Sequence, residues 1–494
     1  MKFVSTRTIN PEKVTSAFAI KTGIAKDGGL FMPENIPTLS ESELNELIGM
    51  QYSQRASKIL SKFLTDYTTE ELLTDTTAAY STEKFSAHPA PVTELTEKLQ
   101  MLELWHGPTC AFKDMALQIM PRLFSRALVK CEEKRSALIL VATSGDTGKA
   151  ALEGYRDIPQ TKIKVFYPID GVSRVQKMQM QTQEGSNVSV CGIVGNFDDA
   201  QSGVKKIFSD ISVADKLNNA NVFLSSANSI NWGRLVPQIV YYVSAYCDLV
   251  ASKKISIGEK IDFCVPTGNF GNIFAAYIAK LMGLPIEKLI CASNTNNVLT
   301  EFLRTGIYDK NRKFYTTISP SMDILISSNL ERLLFITFGA KRTKECMTQL
   351  QEYGKYSLTE DELAKISDTF VGYYTDESDT KATIKSVYEN ENRLIDTHTA
   401  VAVSAAKRFM NDSKAGRITV AVSTASPYKF ASDVYSSLVG HAPAGDLEAL
   451  DELYALTKTE IPAPLSDISK KKIIHEQVID KDDMEEAVLN FVLN

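Results

Sequence analysis

Apolar positions change their spacing along this chain. In the first hundred residues they recur at helical intervals, most clearly in ESELNELIGMQYSQRASKILSKFL and TEELLTDTTAAY. The prolines and small polar residues of PENIPTL and SAHPAPVTEL break those helices. In LWHGPTCAFKDMALQIMPRL, a turn at Pro108 and Thr109 feeds a further helical run through Leu117, Met120, Leu123 and Phe124. Lys113 and Asp114 stand together at that junction. An acidic residue suits the positive end of a helix and a lysine beside it can face water, so the pair has an ordinary structural reading.

Beyond Lys134 the pattern becomes strand, glycine loop, helix. SALILVA, KIKVFYP and NVSVCGI are β-rich runs, separated by the helical stretches KAALEGYRD and GVSRVQKMQMQTQEG and followed by DDAQSGVKKIFSD. The pattern returns in KIDFCVPTGNFGNIFAAYIAKLMGLPI, EKLICASN and RITVAVSTASPYKFAS. This alternation predicts βαβ units on parallel sheets. The stretch from about Leu330 to Asn392 reads as a charged, helical elaboration, and the acidic segment from Asp446 onward as surface packing.

Composition narrows the function classes. A chain of 494 residues has room for two or three domains. A net charge of -6 gives no general attraction to nucleic acid or to an anionic membrane surface. No apolar run is long enough to span a bilayer, and MKFVSTRTINPEK lacks a signal-peptide core. Seven cysteines without a close pair point to a reducing compartment, so a cytoplasmic location is expected. The histidines are scattered, with no local metal signature.

Four polar loops stand out against this background. TSGDTG, Thr143 to Gly148, links a strand to a helix, and its amides with the Ser144 and Thr147 hydroxyls suit an anion. Its spacing matches neither a dinucleotide fingerprint nor a nucleoside-triphosphate loop. PTGNFGN has the same context, with Gly268, Asn269, Gly271 and Asn272 favouring unusual backbone angles. SSANSINWGRLVPQ offers Ser226, Asn228, Ser229, Asn231 and Arg234, the last able to fork onto a carboxylate or phosphate. STASP closes the last strand, with His398 and Thr399 upstream in LIDTHTAVAV. In open α/β sheets ligands bind beyond the carboxyl ends of strands, where these loops fall. Two anion loops and a lysine point to a phosphate-bearing small molecule; an enzyme and a noncatalytic binding module both satisfy the pattern.

HGPTCAFKD, ATSGDTG, SANSINWGRLVPQ, VPTGNFGN, DTHTAV and STASPYKF, in that order, resemble the landmarks of the threonine synthase family, in its longer microbial and fungal branch. The resemblance runs from about residue 75 to about residue 435. It implies an α/β protein of pyridoxal-phosphate fold type II, similar to the tryptophan synthase β-subunit, with parallel sheets flanked by helices. It implies that Lys113 carries pyridoxal 5'-phosphate and acts as the catalytic base. Gly268, Asn269, Phe270, Gly271 and Asn272 are then the phosphate cradle, and Thr424 the hydroxyl beside the pyridine nitrogen. Asp146 stands where many relatives of the fold carry an asparagine toward the cofactor's phenolic oxygen. Two positions depart from the family pattern: Cys110 replaces the leucine of PTLAFKD, and Ser426 precedes Pro427 where histidine is usual.

The implied reaction is that of a phosphate-eliminating carbon-oxygen lyase, turning O-phospho-L-homoserine and water into L-threonine and inorganic phosphate. The substrate's phosphate needs its own pocket, for which Ser144, Thr147, Ser226, Asn228, Asn231 and Arg234 are candidates, followed by Lys177 and Arg174. The expected organisation is a mostly helical part over residues 1–98 and a cofactor domain over 99–130 and 262–440, elaborated by helices near 330–392. A smaller mobile domain over 131–261 and a surface tail over 441–494 complete it. A monomer or homodimer is expected, with no metal, nucleic-acid or membrane partner. Two alternatives stand beside this reading: a serine or threonine dehydratase of the same fold, and a catalytically silent metabolite-binding protein.

Overall fold

The alternating segments build two separate sheets. In the computed structural model, which describes residues 1–85 and 88–493, the larger sheet has six strands. Ser86 and Ala87, inside the predicted SAHPAPVTEL break, and Asn494 lie outside the described residues. The spatial order is Phe370–Tyr374, Ile286–Ser293, Ile261–Pro266, Thr419–Ser423, Leu99–Glu103 and Val92–Glu94. All neighbours are parallel except the last pair. Ala421 lies opposite both Cys264 and Met101, so three central strands end at one level. The loops after Glu103, Pro266 and Ser423 therefore emerge side by side, at the edge where such sheets bind ligands.

Every residue of those three strands is buried, as a parallel sheet covered on both faces requires. Ile261, Phe263 and Val265 enter one core with the helices Trp232–Ala251 and Gly271–Leu281. Cys264, Ile290 and Ala421 enter another with the helix Thr397–Ser413. The smaller sheet is wholly parallel, in the order Val478–Asp480, Val188–Val194, Thr161–Pro168, Ser136–Ala142 and Val222–Ser225.

The N-terminal part has four helices and a two-stranded antiparallel sheet, Phe3–Ser5 with Phe31–Pro33. Ser40 with Glu43 and Thr68 with Glu71 form capping boxes that start two of the helices. The fully buried Trp232 locks this part in place, its ring 5.3 Å from Phe3 and 5.7 Å from Phe63. Among the described residues no helix is long and apolar enough to cross a membrane, and no acidic, histidine or cysteine cluster suits a metal ion.

Three segments depart from the sequence reading. Helix Trp232–Ala251, expected within the smaller domain, packs instead on Tyr52–Phe63 and Gly271–Leu281. It is apolar on nearly all sides and needs cover all round. The helical elaboration near 330–392 contains Phe370–Tyr374, which adds an edge strand to the larger sheet. The segment expected as a surface tail extends the smaller sheet through Val478–Asp480. Its final helix then buries Met484, Ala487 and Val488 against Phe197–Ser209 and Ile211–Asn219.

Candidate active site

Lys113 is delivered by a loop sewn onto the neighbouring strand end. Leu104 N donates to Ser423 O, Phe112 N to Thr424 O at 2.8 Å, and Ser426 N to Cys110 O at 3.0 Å. Cys110 takes a left-handed backbone (φ 58°) in the turn, and burial pushes its thiol up to about 12. Asp114 fastens the turn from below, accepting from Thr109 N at 2.8 Å and Thr109 Oγ1 at 2.7 Å. Gly107 leaves it the space: a Cβ there would fall 2.6 Å from Asp114 Oδ2. Burial raises the Asp114 carboxyl to about 6 against those two donors. Asp114 thus builds the turn, and Lys113 is the member of the pair left to face the site.

Lys113 Nζ lies 3.5 Å from Asp146 Oδ2 and 3.3 Å from Ser321 Oγ. Burial lowers its pKa from the usual lysine range, opposed by Asp146 and helped by Lys429 and Arg234. Asp146 begins the helix Asp146–Tyr155, after a Gly145 whose φ is 144°. Its Oδ1 accepts from Lys429 Nζ at 2.8 Å and Gln176 Nε2 at 2.8 Å. Burial alone would raise this carboxyl; Lys429 and Lys113 outweigh it and hold Asp146 well below the usual carboxylate range. Lys429 has no exposed side-chain surface and also donates to Thr109 O at 3.0 Å and Gln179 Oε1 at 2.9 Å. The site's charged centre is therefore a carboxylate between two lysines.

The glycine loop follows strand Ile261–Pro266. A Cβ on Gly268 would sit 2.8 Å from Ser321 O, so only glycine fits there. Gly268 O accepts from Ser327 Oγ at 2.7 Å, and Asn269 O accepts from both Asn329 N and Asn329 Nδ2. With the carbonyls tied back, none of the amides from Gly268 to Asn272 donates to an acceptor among the described residues. Phe270, left-handed at φ 61°, turns the chain into helix Gly271–Leu281, whose positive end adds to the same anion cradle. Asn272 Oδ1 accepts from Tyr241 OH at 2.5 Å and Tyr242 OH at 2.6 Å, while its buried Nδ2 has no partner among the described residues. Thr424 is buried, and its hydroxyl has no hydrogen-bond partner among the described residues, whereas the adjacent Ser423 Oγ is engaged by Trp105 Nε1 and Thr399 Oγ1.

The candidate anion ligands separate clearly. Arg234 is 4% exposed, donates through Nη1 to Ala227 O at 2.7 Å and leaves Nε with no partner. It forms no ion pair among the described residues, and burial pushes its pKa down to about 10. Ser226 is half-buried and Asn228 exposed, while Ser229 Oγ donates to Asn228 Oδ1. Asn231 is occupied elsewhere: Nδ2 donates to Ile20 O, and Oδ1 caps the helix at Gly233 N, both at 2.8 Å. In TSGDTG, Thr143 Oγ1 takes the Gly145 and Gly148 amides, with Ser144 exposed and Thr147 half-buried. Lys177 is half-buried and Arg174 exposed on the helix Arg174–Gln181, whose Gln176 reaches Asp146. The sequence reading passed over Lys429, Gln176 and Ser321; Lys429 was in view within STASPYKF, but nothing local pairs it with Asp146.

A family model described as pyridoxal-phosphate dependent enzyme matches residues 91–424. Models for the threonine synthase N terminus and the threonine synthase C-terminal region match residues 2–80 and 399–492. Threonine synthase from Pseudomonas aeruginosa is 37% identical over 90% of this chain and 92% of its own. Threonine synthase-like 1 from Homo sapiens is 41% identical over 83% of this chain, which spans 57% of that protein's length. A crystal structure of PLP-bound threonine synthase from Brucella melitensis superposes with a TM-score of 0.89 at 36% identity, covering all of both chains. The fold is thus that of the pyridoxal-phosphate dependent enzymes, and the chain belongs, within that class, to the threonine synthase family. The fold class expected from the motifs is the one observed.

Proposed function

We propose that the protein is a pyridoxal-phosphate-dependent threonine synthase, converting O-phospho-L-homoserine and water into L-threonine and inorganic phosphate. The observation that carries this reading is Arg234, a buried guanidinium without an anionic partner, close enough to Lys113 to depress its pKa. An unpaired buried cation is costly unless a ligand neutralises it. The glycine cradle already supplies a place for one phosphate, so Arg234 serves a second anionic group, the phosphate or the carboxylate of the substrate. A dehydratase substrate offers only its carboxylate, so the two readings part on whether Arg234 holds a phosphate.

The residues present fit the cofactor. Gly268 keeps a side chain out of a loop whose amides are unspent, and the positive end of helix Gly271–Leu281 favours a phosphate there. The unpartnered Thr424 hydroxyl suits a ring nitrogen, and Lys113 offers a half-buried amine for covalent attachment. Pyridoxal phosphate, when bound, supplies the electron sink that makes the substrate's carbon-bound protons removable.

Everything else falls to the chain. Lys113, displaced by the substrate's amine, becomes a free base that takes the α-proton and then a β-proton. Its lowered pKa favours the neutral amine that must accept them, while Asp146 stabilises the ammonium that must give one back. The bond between the γ-carbon and its oxygen breaks, and the electron pair leaves with the phosphate. Arg234, with Ser226, Asn228, Ser144, Thr147, Lys177 and Arg174 as further candidate ligands, binds the substrate's phosphate or carboxylate. The γ-carbon gains one of those protons, water adds its hydroxyl to the β-carbon and gives its other proton to Lys113, and a proton returned to the α-carbon completes L-threonine. The reading places the protein in the cytoplasm as a monomer or homodimer, with no nucleic-acid partner. Purified holoenzyme should release equimolar phosphate and threonine from O-phospho-L-homoserine. Turnover of serine or threonine in preference to phosphohomoserine would instead favour the dehydratase.

A further inference from the structure

Ser321 sits on the short turn Pro320–Met322, far in sequence from the lysine it meets. Three contacts fix that turn. Ser321 Oγ accepts from Lys113 Nζ at 3.3 Å. Ser321 O lies against Gly268, at the point where a Cβ would be 2.8 Å away. Ser321 N donates to His398 Nε2 at 3.2 Å. The last contact settles the imidazole's form: Nε2 accepts, so the proton of neutral His398 is on Nδ1, 2.8 Å from Asp396 Oδ2. Asp396 is itself held by helix Thr397–Ser413, taking the Thr399 amide through Oδ1 and the His398 amide through Oδ2. His398 is 3% exposed and packs on Phe430 at 4.7 Å.

We infer that Ser321 is a positioning residue for Lys113, set in place by the His398–Asp396 pair. The inference rests on the proposed function, because it assigns the place where the freed lysine amine docks while acting as base. A lysine has four rotatable side-chain bonds and, once released, needs an oriented acceptor to stay aimed at the substrate. Asp146 holds it from one side, and Ser321 gives the second point that fixes its direction. Ser321 is exposed on its turn and adds nothing to a core. His398 acts at one remove, by keeping the turn at a fixed height above both Gly268 and Lys113.

The test uses holoenzyme with Ser321→Ala, Ser321→Thr, His398→Ala and His398→Gln. Glutamine keeps a neutral acceptor for Ser321 N–H; alanine does not. Losing one neutral hydrogen bond at Lys113 should cut kcat roughly threefold to tenfold, with KM for O-phospho-L-homoserine little changed. The pH midpoint of the cofactor–Lys113 absorbance, set also by Asp146, Lys429 and Arg234, should fall by roughly 0.4 to 1 unit in Ser321→Ala. Ser321→Thr and His398→Gln should restore both readouts. Wild-type kcat and midpoint in Ser321→Ala would overturn the inference, whatever His398→Ala does to folding. Failure to trap cofactor on Lys113 with borohydride in the wild type would overturn the underlying functional reading instead.

Discussion

Replacing Lys429 with methionine tests the charged centre. The substitution keeps an apolar stem of similar length and deletes an ammonium with no exposed surface. Asp146 then loses its 2.8 Å partner and keeps Lys113 at 3.5 Å and Gln176 at 2.8 Å. Thr109 O and Gln179 Oε1 lose a donor as well. Stripping one partner from a buried ion pair costs about 3 to 5 kcal/mol, and the remaining Lys113 contact argues for the lower end. Lys429→Met should therefore unfold at a lower urea concentration than the wild type. The pH dependence has a definite sign. In the wild type the depressed Asp146 pKa contributes stability above the ordinary carboxylate pKa, lost as pH falls through the folded value. Without Lys429, burial raises that pKa, the folded state binds the extra proton, and the deficit against wild type narrows from pH 7 toward pH 5. A Lys429→Met variant as stable as the wild type, or a deficit constant over that range, would refute the ion-pair reasoning.

Other outcomes follow from the same geometry. Arg234→Ala should leave cofactor loading intact and lower kcat/KM for O-phospho-L-homoserine by roughly tenfold to a hundredfold, from about 1.5 to 3 kcal/mol of charge-assisted bonding; Arg234→Lys should recover only part, because a point charge replaces a fork. Steady-state kinetics at equal cofactor occupancy check it. Gly268→Asp should weaken cofactor binding in absorbance titrations far more than it lowers the thermal midpoint, since its side chain meets Ser321 O and brings a like charge to the phosphate. Lys113→Ala should fold and lose the borohydride-trapped lysine adduct found by peptide mass spectrometry in the wild type.

Loops joining a strand directly to a helix were legible in the sequence, because a contiguous run of residues determines them. PTGNFGN is one: Gly268 gives the close approach its composition suggests, but the left-handed backbone expected at Gly268, Asn269, Gly271 or Asn272 falls on Phe270. The turn bearing Lys113 is another, and its Asp114, the first residue of the short helix Asp114–Leu117, also fastens the turn through Thr109. Asn231 shows the limit of residue type: an asparagine before a helix suits an anion or an N-cap equally, and here it caps. Contacts closed by the tertiary fold left no local trace. Asp146 and Lys429 follow strands of different sheets, and His398 and Ser321 lie 77 residues apart, so each pair meets only in the folded chain. Short edge strands escaped for a related reason: Phe370–Tyr374 lies among charged helices, and Val478–Asp480 is too brief to show a period of two.

The central claim is that one lysine and two anion sites perform elimination of phosphate followed by hydration, and oxygen-18-labelled water tests it most directly. Holoenzyme turning over O-phospho-L-homoserine in labelled water should give L-threonine carrying the label in its side-chain hydroxyl, with one unlabelled phosphate released per threonine. Label in the phosphate together with homoserine as product would mean attack at phosphorus, and would contradict the account.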